Sequence, residues 1–363
     1  MDELRHWLAL ATVHGLDGQR FDRLAEHYSV QQLATAKAST LNHLGFTPRQ
    51  IDILTSQSAA LIESALRWRD QASHHHLIYY QHPQYPPLLK QTKQPPLLLF
   101  VKGDPAVLAQ PQLAMVGSRQ PTPTGRRVAH DFAAELTQQG YVITSGMARG
   151  IDSESHKGAL HAGGLTIAVL GHGLRQIYPT SNTALAQQIS EQGALVSEYF
   201  PDVAVRSEFF PQRNRIVVGL SLATVVVEAG LKSGTLISAN LAADYSRDVF
   251  AVPGSVYSTQ SAGCHLLIQQ GAKLVTCVAD ILEEQHFFPA NGQKRAQQDE
   301  KNSQFDLFTQ LLLANVGDDA LAIDQIAERA QMSVTDVSIA LLELEIAGEV
   351  AAVPGGFIRV RSA

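Results

Sequence analysis

Short apolar runs alternate with helix-period segments through the centre of the chain. Seven of these runs have the length and composition of buried strands. They are Leu113–Val116, Tyr141–Thr144, Leu165–Leu170, Ala194–Ser197, Ala223–Val227, Val249–Val252 and Lys273–Thr276. After the first run, Val128, Phe132 and Leu136 recur every four residues, as in a helix that Thr124 can cap. Continuous apolar strands alternating with helices are typical of a mainly parallel sheet covered on both faces. The pattern therefore predicts an α/β fold with a mainly parallel sheet.

The segment before these strands has a different pattern. Residues 1–76 predict a small helical domain of helix-hairpin-helix or SAM-like type, with a tight turn at Leu44-Gly45-Phe46. Such a turn can present N–H groups to a phosphate, but Pro48 replaces the usual second glycine and favours plain helical packing or protein contact. The proline-rich residues that follow exclude a long helix. Leu97–Lys102 predicts a strand added to one edge of the sheet.

The end of the chain predicts a linker and a separate module. Residues 290–305 are polar and aperiodic, which indicates a flexible linker between the sheet domain (77–289) and a module at 306–363. The module has three helix-period segments and a hairpin signal, the pattern of a winged helix, with Val337, Leu341 and Leu344 facing inward. The segments are Leu307–Leu313, Ile323–Ala330, Val334–Ala347 and, for the hairpin, Val350–Val360.

Charge separates this module from the rest of the chain. The 363 residues have a formal net charge of −6, and residues 306–363 alone contain 3 basic and 9 acidic side chains. Ser333–Ala352, the recognition-helix position, lacks Lys and Arg, whereas a helix that binds phosphates needs positive charge. We therefore expect the module to contact protein rather than DNA phosphates.

Targeting and cofactor signals are weak throughout. No apolar run approaches the roughly 20 residues that span a bilayer, and the acidic N-terminus lacks a cleavable signal pattern. Two cysteines are too few for a disulfide framework or a cysteine-based zinc site. We therefore expect a cytoplasmic protein with no membrane insertion, no metal and no cofactor.

Glycine- and serine-containing turns follow the predicted strands and meet at the carboxyl edge of a parallel sheet, where ligands bind. In Gly117-Ser118-Arg119, the glycine lets an anion approach the backbone, and the serine and arginine add polar contacts. The dinucleotide fingerprint G-x-G-x-x-G is absent. We expect Gly150, in the turn after the second strand, to lie at the same edge.

Two further segments combine cations with polar groups. Phe210–Ile216 (FPQRNRI) contains Arg213, Asn214 and Arg215 beside phenylalanines, which suits a phosphodiester strand with exposed bases. The equal alternative is a pair of core phenylalanines with a surface arginine. The second segment is an anion cradle at a helix start, or else a structural helix cap. It comprises Lys232, Ser233, Gly234 and Thr235, without the P-loop order.

Asp152, His156 and Lys157 share one predicted helix. An Asp and a His could serve acid–base chemistry, but no nucleophile motif accompanies them. We expect Asp152 to cap the helix and His156 and Lys157 to line the ligand edge.

Together the motifs resemble those of the bacterial DNA-processing protein A family (DprA, also called Smf). The motifs are GSR, SGMARGID, ALHAGGLTIAVLGHG, IYPTSN, SEYFP, FPQRNRIVVGLS and EAGLKSGTLISANLA. The resemblance implies a helical domain, an extended Rossmann-like domain and a winged-helix-like domain, in that order. It also implies homodimerisation, single-stranded DNA binding without ATP hydrolysis, and loading of the RecA recombinase during natural transformation. The family's DNA-binding arginine and lysine fall on Arg119 and Lys232, and the FPxRNR segment, which we expect to form a loop, gives Arg213 and Arg215 the same role. The alternative is a Rossmann-type enzyme that binds or hydrolyses nucleotides, with Glu198 or Glu228 as the acid.

Overall fold

The computed structural model describes residues 2–284, 316, 320–330, 333–346, 350–353 and 355–359. The chain divides into two compact units, Met1–Phe288 and Pro289–Ala363. The predicted linker 290–305 and the predicted helix Leu307–Leu313 lie outside the described residues, so both stay predictions.

The first unit begins with helices, as the sequence predicts. They are α1 (Asp2–Ala11), α2 (Gly18–Ala25), α3 (Val30–Ala34), α4 (Ala38–His43), α5 (Pro48–Asp52) and α6 (Ser58–Asp70), with a π-helical turn at Ile53–Gln57. Side chains of Asp17, Ser29 and Thr47 accept backbone hydrogen bonds at the starts of α2, α3 and α5. The N–H groups of Gly45 and Phe46 donate to carbonyls within their own turn, so this hairpin has no spare donor there for a phosphate.

A sheet of nine strands, counted over the described residues, forms the centre of the unit. The strands are β1 (His75–Tyr79), β2 (Leu98–Gly103), β3 (Gln112–Val116), β4 (Val142–Ser145), β5 (Thr166–Val169), β6 (Ala194–Ser197), β7 (Ala223–Val226), β8 (Asp248–Ala251) and β9 (Lys273–Leu274). Their spatial order is β1-β2-β6-β5-β4-β3-β7-β8-β9. Strands β3 to β9 pair in parallel, whereas β1 and β2 add antiparallel to the β6 edge. The mainly parallel sheet and its edge extension are both as predicted.

Helices cover both faces of this sheet. They are α7 (Pro87–Lys90), α8 (Pro123–Gln138), α9 (Ile151–His161), α10 (Thr183–Gln192), α11 (Phe209–Leu220), α12 (Thr235–Asp244), α13 (Ala262–Gln269) and α14 (Val278–Glu284), with 3-10 turns at Pro105–Ala109 and Thr180–Asn182. Successive residues of a strand point to opposite faces, so Leu113 and Met115 join one apolar cluster and Ala114 and Val116 the other. One cluster includes α8, α9 and α14, and the other includes α10 to α13.

The N-terminal helices share the second of these clusters. Trp7 of α1 is fully buried, and its ring stacks on Tyr79 of β1 with centroids 5.5 Å apart. Trp68 of α6 meets Phe100 of β2 edge-on at 5.7 Å. The helices and the edge extension therefore bury each other's apolar surface.

Within the described residues, the second unit has two of the three predicted helices and the predicted hairpin. It contains α15 (Ile323–Ala330), α16 (Val334–Ile346), β10 (Val350–Val353) and β11 (Gly356–Arg359), and the two strands pair antiparallel. Val337, Leu341 and Leu344 are buried, which confirms that they face inward.

Three local predictions are wrong. Thr122, not Thr124, caps α8 and accepts a hydrogen bond from the Gly125 N–H (3.0 Å). The last strand, β9, is only two residues long. The predicted FPQRNR loop is the start of α11, because a proline is tolerated in the first turn of a helix, where its missing N–H has no partner to lose.

Candidate nucleic-acid interface

The strand order changes direction between β3 and β7. From β3 the chain adds β4, β5 and β6 on one side and then returns to add β7, β8 and β9 on the other. The loops that follow β3 and β7 therefore separate and leave a crevice at the carboxyl edge of the sheet, the place where open α/β sheets bind ligands.

A first cavity of about 550 Å³ occupies this crevice. Its lining includes residues 117–120 after β3, residues 232–235 after β7, and Arg213 and Asn214 of α11. Predicted site residues from three separate segments thus come together: Ser118, Arg119, Arg213, Asn214, Lys232, Ser233, Gly234 and Thr235.

A second cavity of about 600 Å³ adjoins the first. The two share Arg119, Gln120, Ala148, Phe210 and Arg213 in their linings, and we call the pair the groove. The second cavity also includes the predicted Gly150 and Lys157. The groove is lined by six cations (Arg119, Arg126, Arg149, Lys157, Arg213 and Lys232) against two acids (Asp152 and Glu154), counted over the described residues.

Backbone contacts hold the loop after β3 in place. The Ser118 N–H donates to the Glu228 carbonyl (2.7 Å), and the Ser118 carbonyl accepts from the Ile151 N–H (3.1 Å). A Cβ on Gly117 would lie 2.5 Å from Ile151 Cγ1, so only glycine allows this approach to α9. Arg119 is exposed, with its guanidinium carbon 5.7 Å from the centre of the Phe210 ring. The loop is fixed while its arginine faces solvent.

The loop after β7 combines a hydrogen-bonded serine with an exposed cation. Ser233 Oγ accepts from the Thr235 N–H (3.1 Å) and donates to Thr235 Oγ1 (2.8 Å), whereas the N-cap residue of α12 is Gly234, with no side-chain cap hydrogen bond. Lys232 is exposed and has no ion-pair partner within the described residues. The start of α12 therefore has a serine hydroxyl bonded to its first residue and, beside it, an unpaired ammonium.

Arg213 is buried rather than presented to solvent. Its side chain is 4% exposed, Nη1 donates to the Val169 carbonyl, and Nε has no partner among the described residues. Burial lowers the pKa of Arg213 to about 10, and it raises the pKa of the neighbouring Asp152 carboxyl. A Cβ on Gly146 would overlap the guanidinium, so glycine makes room for it. Arg213 contributes charge to the wall of the groove, with little surface for direct phosphate contact.

Arg215 lies outside the groove, and its predicted role beside Arg213 is wrong. Residues two apart on a helix point about 200° apart, which places them on opposite sides. Arg215 forms an ion pair with Glu198 and donates to the Gln94 carbonyl. Arg213 and Arg215 would have shared one side only in an extended loop.

The turn before α9 shapes the second cavity. Gly150 has φ of +85°, and a Cβ there would overlap the Ser118 carbonyl oxygen. Gly150 is also the N-cap residue, so the predicted cap at Asp152 is wrong; Asp152 Oδ2 instead accepts from the Ala148 N–H (3.2 Å). Lys157 Nζ lies 3.0 Å from Glu154 Oε1, and Arg126 Nη1 lies 3.8 Å from the same atom.

His156 is part of the core, so its predicted place at the ligand edge is wrong. It is fully buried on the sheet side of α9, where Nδ1 hydrogen-bonds Thr166 Oγ1 at 2.7 Å. Burial lowers the pKa of His156 to about 3.

Sequence reasoning missed Arg149 and Tyr178, which both line the second cavity. Each lies inside a motif that the sequence displays, SGMARGID and IYPTSN. A systematic listing of every cation and aromatic residue in those turns would have found them.

The described residues contain no group of three or more His, Cys, Asp or Glu side chains arranged to hold a metal ion. Within the same ranges, no helix is long and apolar enough to cross a membrane.

Three sequence families match successive parts of the chain. They are the SMF/DprA SAM domain over residues 1–67, DNA recombination-mediator protein A over 76–286, and the DprA winged helix domain over 305–356. Protein Smf of Escherichia coli (strain K12) is 43% identical over 362 residues, which cover 98% of this chain and 96% of that protein.

Two solved structures are similar at more than 30% identity. The X-ray structure of DNA processing protein A from Streptococcus pneumoniae has a TM-score of 0.67 and 33% identity, covering 78% of this chain and 98% of that one. A structure of DNA processing protein A from Helicobacter pylori, described for its single-stranded DNA binding mode, has a TM-score of 0.53 and 32% identity. It covers 58% of this chain and 96% of that one. These matches confirm the resemblance predicted from the motifs, and the chain belongs to the DNA recombination-mediator protein A (DprA/Smf) family.

Proposed function

We propose that this chain binds single-stranded DNA along the groove, without catalysis, and loads RecA recombinase onto that DNA in natural transformation and recombination. The observation that supports this proposal best is the local charge. The groove has six cations against two acids, although the whole chain has a formal charge of −6. Clustered cations attract a polyanion irrespective of net charge.

The shape of the groove favours a single strand. Its walls are loops and helix starts at the edge of a sheet, and a bound strand would run along several of these loops through two adjoining cavities. A rigid duplex cannot follow such a path, whereas a flexible strand can place phosphates beside Arg119 and Lys232. The Helicobacter pylori relative, described as binding single-stranded DNA, supports the same assignment.

The alternative of a nucleotide-hydrolysing enzyme has less support. The Glu228 carboxylate accepts hydrogen bonds from the N–H (3.0 Å) and hydroxyl of Thr122. Glu198 is paired with Arg215. Both acids already have structural partners, and neither belongs to the lining of the groove. Release of base or phosphate from nucleoside monophosphates tests this alternative, and turnover abolished by Glu228→Gln would favour the enzyme.

A competition assay tests strand preference. Labelled oligo-dT bound to the protein is challenged at moderate salt with unlabelled oligo-dT or with a duplex of equal length. We expect the single strand to compete at lower concentration, with little dependence on base sequence because phosphates make most of the contacts. Equal competition by both DNAs would contradict the groove geometry.

RecA loading has support from the family, whose description names a recombination mediator, and homodimerisation is what the family resemblance implies. We expect the protein to accelerate RecA filament formation on single strands coated with a single-strand-binding protein. Light scattering coupled to size exclusion should give twice the chain mass. We expect the protein to act in the cytoplasm, where both of its partners would be found.

A further inference from the structure

Beyond the phosphate contacts proposed above, on which this inference rests, the second cavity has the composition of a base-stacking site. We propose that Tyr178, flanked by Phe210 and Arg149, stacks against one unstacked nucleobase of the bound strand. The first cavity then holds mainly phosphates, and the second holds a base.

Tyr178 is an exposed aromatic residue in a fixed position. It is 49% exposed, and its ring centre lies 5.8 Å from that of Phe210, with the two planes 32° apart. The Phe210 ring packs closely against the backbone at Gly171: a Cβ added to this glycine would lie only 3.2 Å from Phe210 Cδ1. The buried His172 ring hydrogen-bonds the Gly173 carbonyl (2.9 Å), and it lies close enough to the backbone of Tyr178 for that backbone to raise the His172 pKa against the effect of burial. A half-exposed ring with rigid support suits stacking on a base.

The cations of the second cavity differ in their availability. Arg126 and Lys157 share Glu154 as a partner, whereas Arg149 is exposed and has no ion-pair partner in the described ranges. Arg119 lies beside Phe210 where the two cavities meet. A strand that leaves the first cavity therefore passes Arg119, places a base against Tyr178, and finds Arg149 free for the next phosphate.

The amide donors of Asn182, at the wall of this cavity, are already used. The Asn182 amide donates to the Met147 carbonyl (3.0 Å) and to Ser153 Oγ (2.8 Å), which uses both of its N–H bonds. The site can stack a base but has no free amide N–H on Asn182 to distinguish one base from another. We expect stacking with weak base preference.

Abasic oligonucleotides separate stacking from phosphate binding. Binding is measured by fluorescence anisotropy with oligo-dT and with an oligomer of equal length in which abasic sites replace the central thymidines. The phosphates are the same, so the affinity ratio reports the bases alone. Stacking of one base predicts that Tyr178→Ala lowers affinity for oligo-dT about tenfold, leaves the abasic oligomer nearly unaffected, and reduces the ratio accordingly. Tyr178→Phe retains the ring and should restore the ratio.

Tyr257→Ala is the matched control, because Tyr257 is 95% exposed and belongs to neither cavity lining. It should leave both affinities unchanged. In a Tyr178→Trp variant, emission should change on adding oligo-dT and not on adding the abasic oligomer.

The possible outcomes distinguish the two proposals. If the parent protein binds neither oligomer, single-stranded DNA binding itself is wrong. If the parent binds oligo-dT and Tyr178→Ala leaves the ratio unchanged, the stacking site is overturned while DNA binding survives. A lower ratio for Tyr178→Ala, with parental melting and rescue by Tyr178→Phe, supports the site.

Discussion

Replacing Arg119 with alanine removes an exposed cation that lines both cavities of the groove. The backbone of its loop is held by Ser118 through the Glu228 carbonyl and the Ile151 N–H, independently of the arginine side chain. The fold should therefore survive the substitution, and the loss should appear in DNA binding alone.

The expected magnitude follows from the unpaired cations of the groove. Arg119, Arg149 and Lys232 are exposed and have no ion-pair partner in the described part of the chain. Each phosphate contact to a single strand contributes about 0.7 to the slope of log affinity against log salt, so three predict a slope of about −2.1. Between about 50 and 200 mM salt the parent should lose about 18-fold in affinity, and Arg119→Ala only about 7-fold.

Anisotropy titrations with oligo-dT over that salt range, with thermal melting beside them, provide the measurement. Arg127→Ala is the control: it removes the same charge from a side chain that is 85% exposed and paired with Asp131 outside the groove. Its slope should match that of the parent. Arg119→Lys keeps the charge and loses the planar fork, so it should restore the slope and only part of the affinity. If Arg119→Ala melts normally and keeps the affinity and the salt slope of the parent, the assignment of Arg119 as a phosphate contact is refuted.

Three further predictions concern stability and the acidic module. The pKa of buried His156 is about 3 when folded and near 6.5 when unfolded, so stability should fall as pH decreases through that window. In urea unfolding, the free energy of unfolding of the parent should fall by about 1.4 kcal/mol between about pH 7.5 and 5.5, and the His156→Gln variant should lack this decrease. Identical pH profiles for the two proteins would contradict the prediction. Gly163 has φ of +70° and open space around it, so Gly163→Ala should lower the free energy of unfolding by about 1 kcal/mol. Gly150→Ala should lower it further, because the new Cβ would also overlap the Ser118 carbonyl oxygen. Equal urea midpoints for the two glycine variants would count against that overlap. Deleting 306–363 should leave DNA affinity unchanged or slightly higher, since 3 basic and 9 acidic side chains are lost; a tenfold weaker complex would mean that the winged helix contacts DNA.

The sheet could be predicted closely because its strands are buried on both faces. Such strands appear as uninterrupted apolar runs, and six of the seven predicted runs match strands β3 to β8 within one residue at each end. The groove followed from topology, since loops after parallel strands share one edge. Lys232 and Arg119 were thus predictable from position alone, although more than a hundred residues separate them.

The orientation of individual side chains could not be predicted in the same way. In FPQRNR, Pro211 suits either a loop or the first turn of a helix, and only the helix separates Arg213 from Arg215. His156 is polar and sits among loop motifs, yet its helical position turns it toward Thr166. Burial in these cases depends on which distant element packs against the residue, and the local sequence contains no signal for that.

The central place of β3 has a consequence for the order in which the protein is made. One neighbour of β3, strand β4, emerges soon after it, but the other begins at Ala223, 107 positions after Val116. At roughly 5 to 20 residues per second, one edge of β3 has no strand to pair with for roughly 5 to 20 s of synthesis. Unpaired apolar edges are the surfaces through which nascent chains misassociate. The crevice between β3 and β7 can therefore form only after the ribosome has passed Val226, and a nascent chain that stalls before this residue exposes an open edge of β3.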